Sequence, residues 1–142
     1  SRSMSRAPDL LATFRSLPLF RECTDAELRE IDAMSDSVSV SAGRSLVRQG
    51  EVGREFVVIV EGNATVTRDD ETIATLGPGD HFGEPALLVD HPRNATVTAQ
   101  TDLRIEVIDR RGFQTLLEDS PHLTRNLLLS LARRLSEVDD GD

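Results

Sequence analysis

Apolar positions along the chain change period twice, and each change marks a passage between helix and strand. From Pro8 to Leu17, residues Leu10, Leu11, Phe14 and Leu17 recur at helical spacing and predict a short amphipathic helix. Thr24-Asp25-Ala26-Glu27 opens a second helix as a capping box, the threonine hydroxyl taking an early amide and the glutamate reaching back. Leu28, Ile31 and Met34 would then face inward. After Asp36 the pattern alternates. Val38 and Val40 interleave with serines, Ala42-Gly43 turns the chain, and Arg44 to Arg48 reads as a strand closed by Gly50 and Gly53. Phe56 to Val60 is a continuous apolar run, the mark of a strand at a sheet core or covered on both faces. Gly62 breaks it, Asn63 to Arg68 alternates again, Asp69-Asp70 turns, and Thr72 to Leu76 follows. After the Gly77-Pro78-Gly79-Asp80 turn, Ala95 to Gln100 and Leu103 to Ile108 bring the set to seven or eight short strands.

The helical period returns at Asp109, which can cap a segment holding Phe113, Leu116 and Leu117. Ser120 then stands at an N-cap with Pro121 at the first helical position. Leu123, Leu127, Leu131, Leu135 and Val138 form an apolar stripe that Leu128 and Leu129 widen. Such a helix either packs on its own barrel or pairs in part with a second copy or an effector domain. The expected fold is mainly β with flanking helices (α+β): an eight-stranded jelly-roll barrel, N-terminal helices and C-terminal hinge helices. Residues 1–7, with Ser1-Arg2-Ser3 ahead of Met4, read as a tag scar or disordered N-terminus. Residues 8–138 read as the domain and 139–142 as an acidic C-terminal tail.

Composition narrows the function. At 142 residues, 38% hydrophobic and 29% charged, the chain suits one soluble domain with a real core. A net charge of -9 argues against a nucleic-acid-binding face. No apolar run approaches the roughly 20 residues of a membrane span and no signal peptide opens the chain, so a cytoplasmic protein without a membrane partner is expected. Cys23, the lone cysteine, cannot form an internal disulfide. All sixteen basic residues are arginine, as a bacterial genome poor in lysine codons would give, so anion recognition here rests on guanidinium groups and backbone amides. Trp and Tyr are absent, which leaves aliphatic side chains, Phe or Arg to cover any bound base.

Candidate chemistry concentrates in Gly79-Asp80-His81-Phe82-Gly83-Glu84-Pro85-Ala86-Leu87-Leu88, followed by Pro92-Arg93-Asn94-Ala95-Thr96. Gly83 lets the backbone approach a ligand closely. Pro85 presets a short helical turn over 84–89, whose free amides would face an anion. Arg93 offers a planar fork to two phosphate oxygens, and Glu84 can accept from sugar hydroxyls. One cation, one carboxylate and a set of amides suit a sugar phosphate. They include no nucleophile, so no enzyme is expected.

The stretch Phe82-Gly83-Glu84-x-Ala86-Leu87-Leu88-x-x-x-Pro92-Arg93-x-Ala95-Thr96 resembles the phosphate-binding cassette of cyclic nucleotide-binding domains. These occur in protein kinase A regulatory subunits, catabolite activator proteins and cyclic-nucleotide-gated channels. Arg48-Gln49-Gly50-Glu51-x-Gly53 with Phe56-x-x-Ile59-x-x-Gly62 resembles the family's early strand pair, and Leu17-Pro18-Leu19-Phe20 with Leu28 its N-terminal helices. The resemblance implies a regulatory sensor that binds cAMP, or else cGMP, and needs no cofactor or metal. It implies that Arg93 pairs with the cyclic phosphate and Glu84 takes the ribose 2'-hydroxyl. Phe82, Gly83, Pro85, Ala86, Asn94 and Ala95 would stand around sugar and phosphate, with Val66, Ala74 and Leu76 on the base side. The helix from Pro121 would move when ligand arrives. Three positions depart from the family pattern: Pro85 replaces an aliphatic residue, Asn94 an alanine or threonine, and Arg54 an acidic or amide residue.

Other readings weigh less. His81, His91 and His122 lack the His-x-His pairing of a cupin-type metal enzyme. No Gly-x-Ser-x-Gly elbow exists for acyl chemistry. Cys23 precedes a capped helix that could lower its pKa, but a structural cysteine fits better. Asn-Ala-Thr-Val-Thr occurs at both 63 and 94, which two alternating strands explain without a true repeat. The sensor half of a transcription regulator without its DNA reader and a non-binding interaction module are the remaining alternatives.

Overall fold

Alternating segments pair where their apolar positions can share one face. The computed structural model describes residues 11–53, 55–83 and 92–141. They fall into two compact units, a strand unit from Met34 to Phe113 and a helical unit made of the residues up to Ala33 and from Gln114 onward.

The strand unit holds β1 (Ser35–Val40), β2 (Ser45–Val47), β3 (Glu55–Glu61), β4 (Ala64–Arg68), β5 (Glu71–Leu76), β6 (His81–Phe82), β7 (Thr96–Ala99) and β8 (Leu103–Asp109). They form two four-stranded sheets, β1-β8-β3-β6 and β2-β7-β4-β5, antiparallel at every pairing. With its helices, this is the α+β jelly-roll arrangement that the turn spacing predicts. Val57, Ile59, Ala64, Val97, Ala99, Leu103 and Ile105 form the barrel core, with Leu46, Val66, Leu76 and Phe82 packed against it. Each fully buried Val, Leu or Ile among them contributes roughly 1.5–3 kcal/mol. On β3 the alternate residues Phe56 and Val58 are also fully buried, and the Phe56 ring lies 5.0 Å from Phe113 and 5.4 Å from His81. Cover on both faces is why β3 reads as an unbroken apolar run.

The recurring pentapeptide has a geometric explanation. β4 and β7 are antiparallel neighbours, with Thr65 opposite Thr98, Val66 opposite Val97 and Thr67 opposite Thr96. Valines meet on the inner face and threonines on the outer, so each copy supplies the other's cross-strand partners. β6 has no period to read, being two residues long, and the sequence pattern misses it.

In the helical unit, residues 11–16 are helical (α1) and Pro18–Phe20 form a 3-10 turn. They are followed by α2 (Asp25–Met34), α3 (Arg110–Asp119) and α4 (Pro121–Gly141). The capping box forms in both directions: Thr24 N–H donates to Glu27 Oε1 at 2.8 Å, and Glu27 N–H to Thr24 Oγ1 at 3.1 Å. Leu28 and Ile31 are buried as expected, but Met34 is 37% exposed because α2 gives way to β1 at the next residue. Asp109 Oδ1 accepts the Gly112 amide at 2.7 Å and caps α3. Along α4, Leu123 and Leu127 are buried, whereas Leu128 and Leu135 are 63% and 67% exposed. The apolar stripe is therefore covered only in its first turns.

Glu27 has a second task. Ser120 Oγ donates to its Oε2 at 2.5 Å, the His122 ring donates through Nδ1 to Oε1 at 2.7 Å, and the His122 amide adds a bond at 3.2 Å. Asn126 Nδ2 donates to the carbonyls of Leu19 and Arg21 at 2.8 and 2.9 Å. Together these tie the start of α4 to the N-terminal helices. Burial alone would raise the Glu27 pKa, but the hydrogen bonds from Ser120, Thr24 and His122 outweigh it and bring the carboxyl down to about 2. Burial, reinforced by the Glu27 charge, pushes the Cys23 thiol up to about 11, which makes it a packing residue and not a reactive one.

A carboxyl held below its ordinary value of 4.5 stabilises the fold fully above that pH and loses its contribution as pH falls toward 2. The contribution is about 3 kcal/mol. Thermal unfolding followed from pH 6 to pH 2 is expected to show this loss, and Glu27→Gln to be less stable at neutral pH with a flatter acid limb.

Candidate functional site

A buried arginine organises one end of the strand unit. Arg93 is 9% exposed, and its Nη2 donates to the Glu55 carbonyl at 2.9 Å, at the start of β3. Two glycines make the room. A Cβ on Gly53 would fall 2.0 Å from Arg93 Nε and 2.4 Å from Cζ, so the guanidinium lies against the bare backbone of that residue. A Cβ on Gly83 would fall 2.4 Å from the Glu55 carbonyl oxygen and 3.0 Å from Arg93 Nη1. Gly83 also has φ +107°, a conformation that side chains disfavour. The main chain of Arg93 is held as firmly: its amide donates to the Glu51 carbonyl at 2.8 Å, and its carbonyl accepts the Gly50 amide at 2.8 Å. Val52 and Pro92 form an isolated bridge beside this pair.

The structure brings several expected site residues together. Phe82 pairs with Val57 and packs on the barrel core, directly before Gly83. Val66 and Leu76 also pack on that core, from β4 and β5. Ala74 stands opposite Val66 on the same face but is exposed. Ala95 is buried beyond Arg93, whereas Asn94 is exposed, and its carbonyl accepts from Arg68 Nε at 3.1 Å. Glu84, Pro85, Ala86, Arg54 and His91 lie outside the described residues, as does the helical turn expected over 84–89. A cleft of about 310 Å³, which shares Glu55 with the arginine seat and none of the expected site residues, has Val38, Val40, Leu46, Val57, Ile105 and Val107 among its lining, with Asp36 and Arg44.

The sequence singles out Arg93 and Gly83 as candidates but does not show what seats the guanidinium. Gly53 and Glu55 hold the guanidinium through a missing side chain and a carbonyl, and neither leaves a side-chain signal. The spacing Gly50-Glu51-x-Gly53 was the available clue. Of the histidines, His81 packs against Phe56 and His122 bonds Glu27. Among the described residues no group of three or more potential metal ligands converges, and no helix is long and apolar enough to cross a membrane.

This arginine, between two glycines at the start of β7, sits inside the segment that the cyclic nucleotide-binding domain family matches, residues 37–120. The chain belongs to that family. Its members are regulatory ligand-binding domains rather than catalysts. The domain is 40% identical over 106 residues to the cAMP-dependent protein kinase regulatory subunit of Yarrowia lipolytica, a match covering 72% of this chain and 28% of that much longer one. The solved catabolite activator protein of Thermus thermophilus superposes with a TM-score of 0.80 at 29% identity, covering 86% of this chain and 60% of its own. The PKAR CBD2 domain bound to Sp-2Cl-cAMPS gives 0.79 at 25% identity, covering 98% and 95%.

Gly53→Ala is expected to displace the guanidinium and cost roughly 1–3 kcal/mol, as forced overpacking does. Chemical denaturation at neutral pH measures it. Gly43→Ala is the control: with φ +93° and nothing within 4 Å of its added Cβ, it carries backbone strain without a packing clash.

Proposed function

We propose that this domain binds a 3',5'-cyclic nucleotide, with cAMP preferred to cGMP, and acts as a regulatory sensor. The observation that carries the reading is the Arg93 guanidinium, fixed between Gly53 and Gly83 at the end of the cassette motif. A planar fork held rigidly can grip two phosphate oxygens with little ordering cost at binding. Glu84 takes the ribose 2'-hydroxyl, the backbone around Gly83, Pro85 and Ala86 meets sugar and phosphate, and Asn94 and Ala95 flank them. Val66, Ala74 and Leu76 line the base side. The names of the relatives support the ligand class, since one is a cAMP-dependent regulatory subunit and another was solved with a cAMP analogue.

In this reading α4 carries the response, by a shift in population between two arrangements. Its exposed Leu128 and Leu135 supply a face for a second copy or an effector domain. The net charge of -9 gives no support to a nucleic-acid partner.

Thermal shift with cAMP, cGMP and AMP tests the ligand class, because binding to the native state raises its melting temperature. A clear rise with cAMP and none with AMP is expected. Arg93→Ala should weaken cAMP binding by about 2–5 kcal/mol, the usual effect of removing one partner from a desolvated charge pair. Calorimetry that finds equal affinity in the variant removes Arg93 from the site.

A further inference from the structure

Three segments distant in sequence meet around Arg93, and one exposed amide side chain joins them. The Gln49 side chain brackets Asp69: its Nε2 donates to Asp69 Oδ1 at 2.9 Å, and its Oε1 accepts the Asp69 amide at 2.9 Å. The Gln49 amide donates to Thr96 Oγ1, also at 2.9 Å. The next two residues, Gly50 and Glu51, bond the main chain of Arg93 on both sides. From the β4–β5 turn, Arg68 Nε reaches the Asn94 carbonyl. The main chain of 93 and 94 and the hydroxyl of 96 are thus each held by a bond from residues 49–51 or from Arg68, at the end of β4 beside the hairpin tip.

That tip is costly in its own right. Asp69 and Asp70 have φ of +53° and +68°, and the strands close on the Arg68–Glu71 pair, a two-residue turn with both central residues left-handed. Such turns favour Asn-Gly or Asp-Gly. Asp69 is among the residues such turns prefer, whereas Asp70 stands where glycine is favoured; the side-chain oxygen at 69 is what the Gln49 Nε2 donor meets. The strained tip is held from outside by the Gln49 bracket on the residue before Asp70, and strain that neighbours over-determine points to a use for it.

We propose that Gln49 and Asp69 are positioning residues for Arg93: their reciprocal bond locks the hairpin tip onto residues 49–51, and that lock fixes the guanidinium for the cyclic phosphate. The proposal rests on Arg93 as the phosphate ligand, so its test carries one readout with ligand and one without.

In Gln49→Glu two carboxylates face each other and the bracket opens. Adding Asp69→Asn restores both bonds: the new carboxylate at 49 still accepts the backbone N–H of residue 69 and now also accepts from the new side-chain amide there, the side-chain bond alone changing direction. Adding Asp70→Asn instead restores the same net charge without the bracket. Calorimetric titration with cAMP is expected to show about threefold to tenfold weaker binding for Gln49→Glu, the worth of a lost hydrogen bond. The Asp69→Asn double variant should recover to near wild type, and the Asp70→Asn double variant should not. Unchanged affinity in Gln49→Glu, or equal recovery in both doubles, overturns the proposal. If wild type does not bind cAMP, or Arg93→Ala binds equally well, it is the ligand reading that falls. The positioning is then read from hydrogen exchange at the Arg93 and Gly50 amides, faster in Gln49→Glu and restored only by Asp69→Asn. Exchange that does not change overturns the positioning itself.

Discussion

Burying one guanidinium dictates much of the strand unit's sequence. An arginine charge removed from water costs several kcal/mol unless its donors are met and its surroundings packed. Here the Glu55 carbonyl meets Nη2, and the planar group fits only because residues 53 and 83 lack side chains. The main chain of Arg93 is bound on both sides by residues 50 and 51, so the group cannot leave its seat by a local backbone shift. Lysine could not replace it, since a flexible ammonium matches neither the flat seat nor a bidentate anion.

The helical unit solves a comparable problem with the opposite charge. Glu27 closes a local capping box and also accepts from Ser120 and His122 on α4. A single carboxylate satisfies donors at two helix starts, where negative charge is favoured. Its charge also adds to the burial that raises the Cys23 thiol pKa, which disposes of the reactivity that its place before a capped helix suggested.

What was legible in the sequence follows from range. The capping box Thr24–Glu27, the Asp109 cap and the alternation in β1, β4, β5 and β7 depend on residues within one turn or strand, and the pattern states them directly. The cassette was legible because its glycine, proline and arginine are residue types with narrow conformational or chemical uses. The second role of Glu27 was not, because Ser120 and His122 lie 93 and 95 residues away. The seat of Arg93 was not, because it consists of a carbonyl and two absent side chains. The apolar stripe of α4 showed a helix face but not where its cover stops, and Leu128 and Leu135 share their residue type with the buried Leu123 and Leu127.

These features also recast the acidic net charge of -9. Net charge governs long-range attraction, which salt screens within about 10 Å, whereas a seated guanidinium acts at contact distance. An overall negative surface therefore opposes long polyanions and leaves a small cyclic phosphate almost unaffected. On the proposed reading, the base side is aliphatic: Val66, Ala74 and Leu76 offer contact area but no hydrogen bond. Such a surface favours any flat ring over water and cannot by itself separate one purine from another. On that reading, selectivity between cAMP and cGMP comes from polar groups elsewhere in the site. Among the described site residues, Asn94 is the one whose side chain is both exposed and equipped with donor and acceptor. Its main chain is fixed by Arg68 while its amide stays exposed, so on that reading a group able to meet a purine edge or the phosphate stands next to the proposed phosphate ligand on one pinned segment.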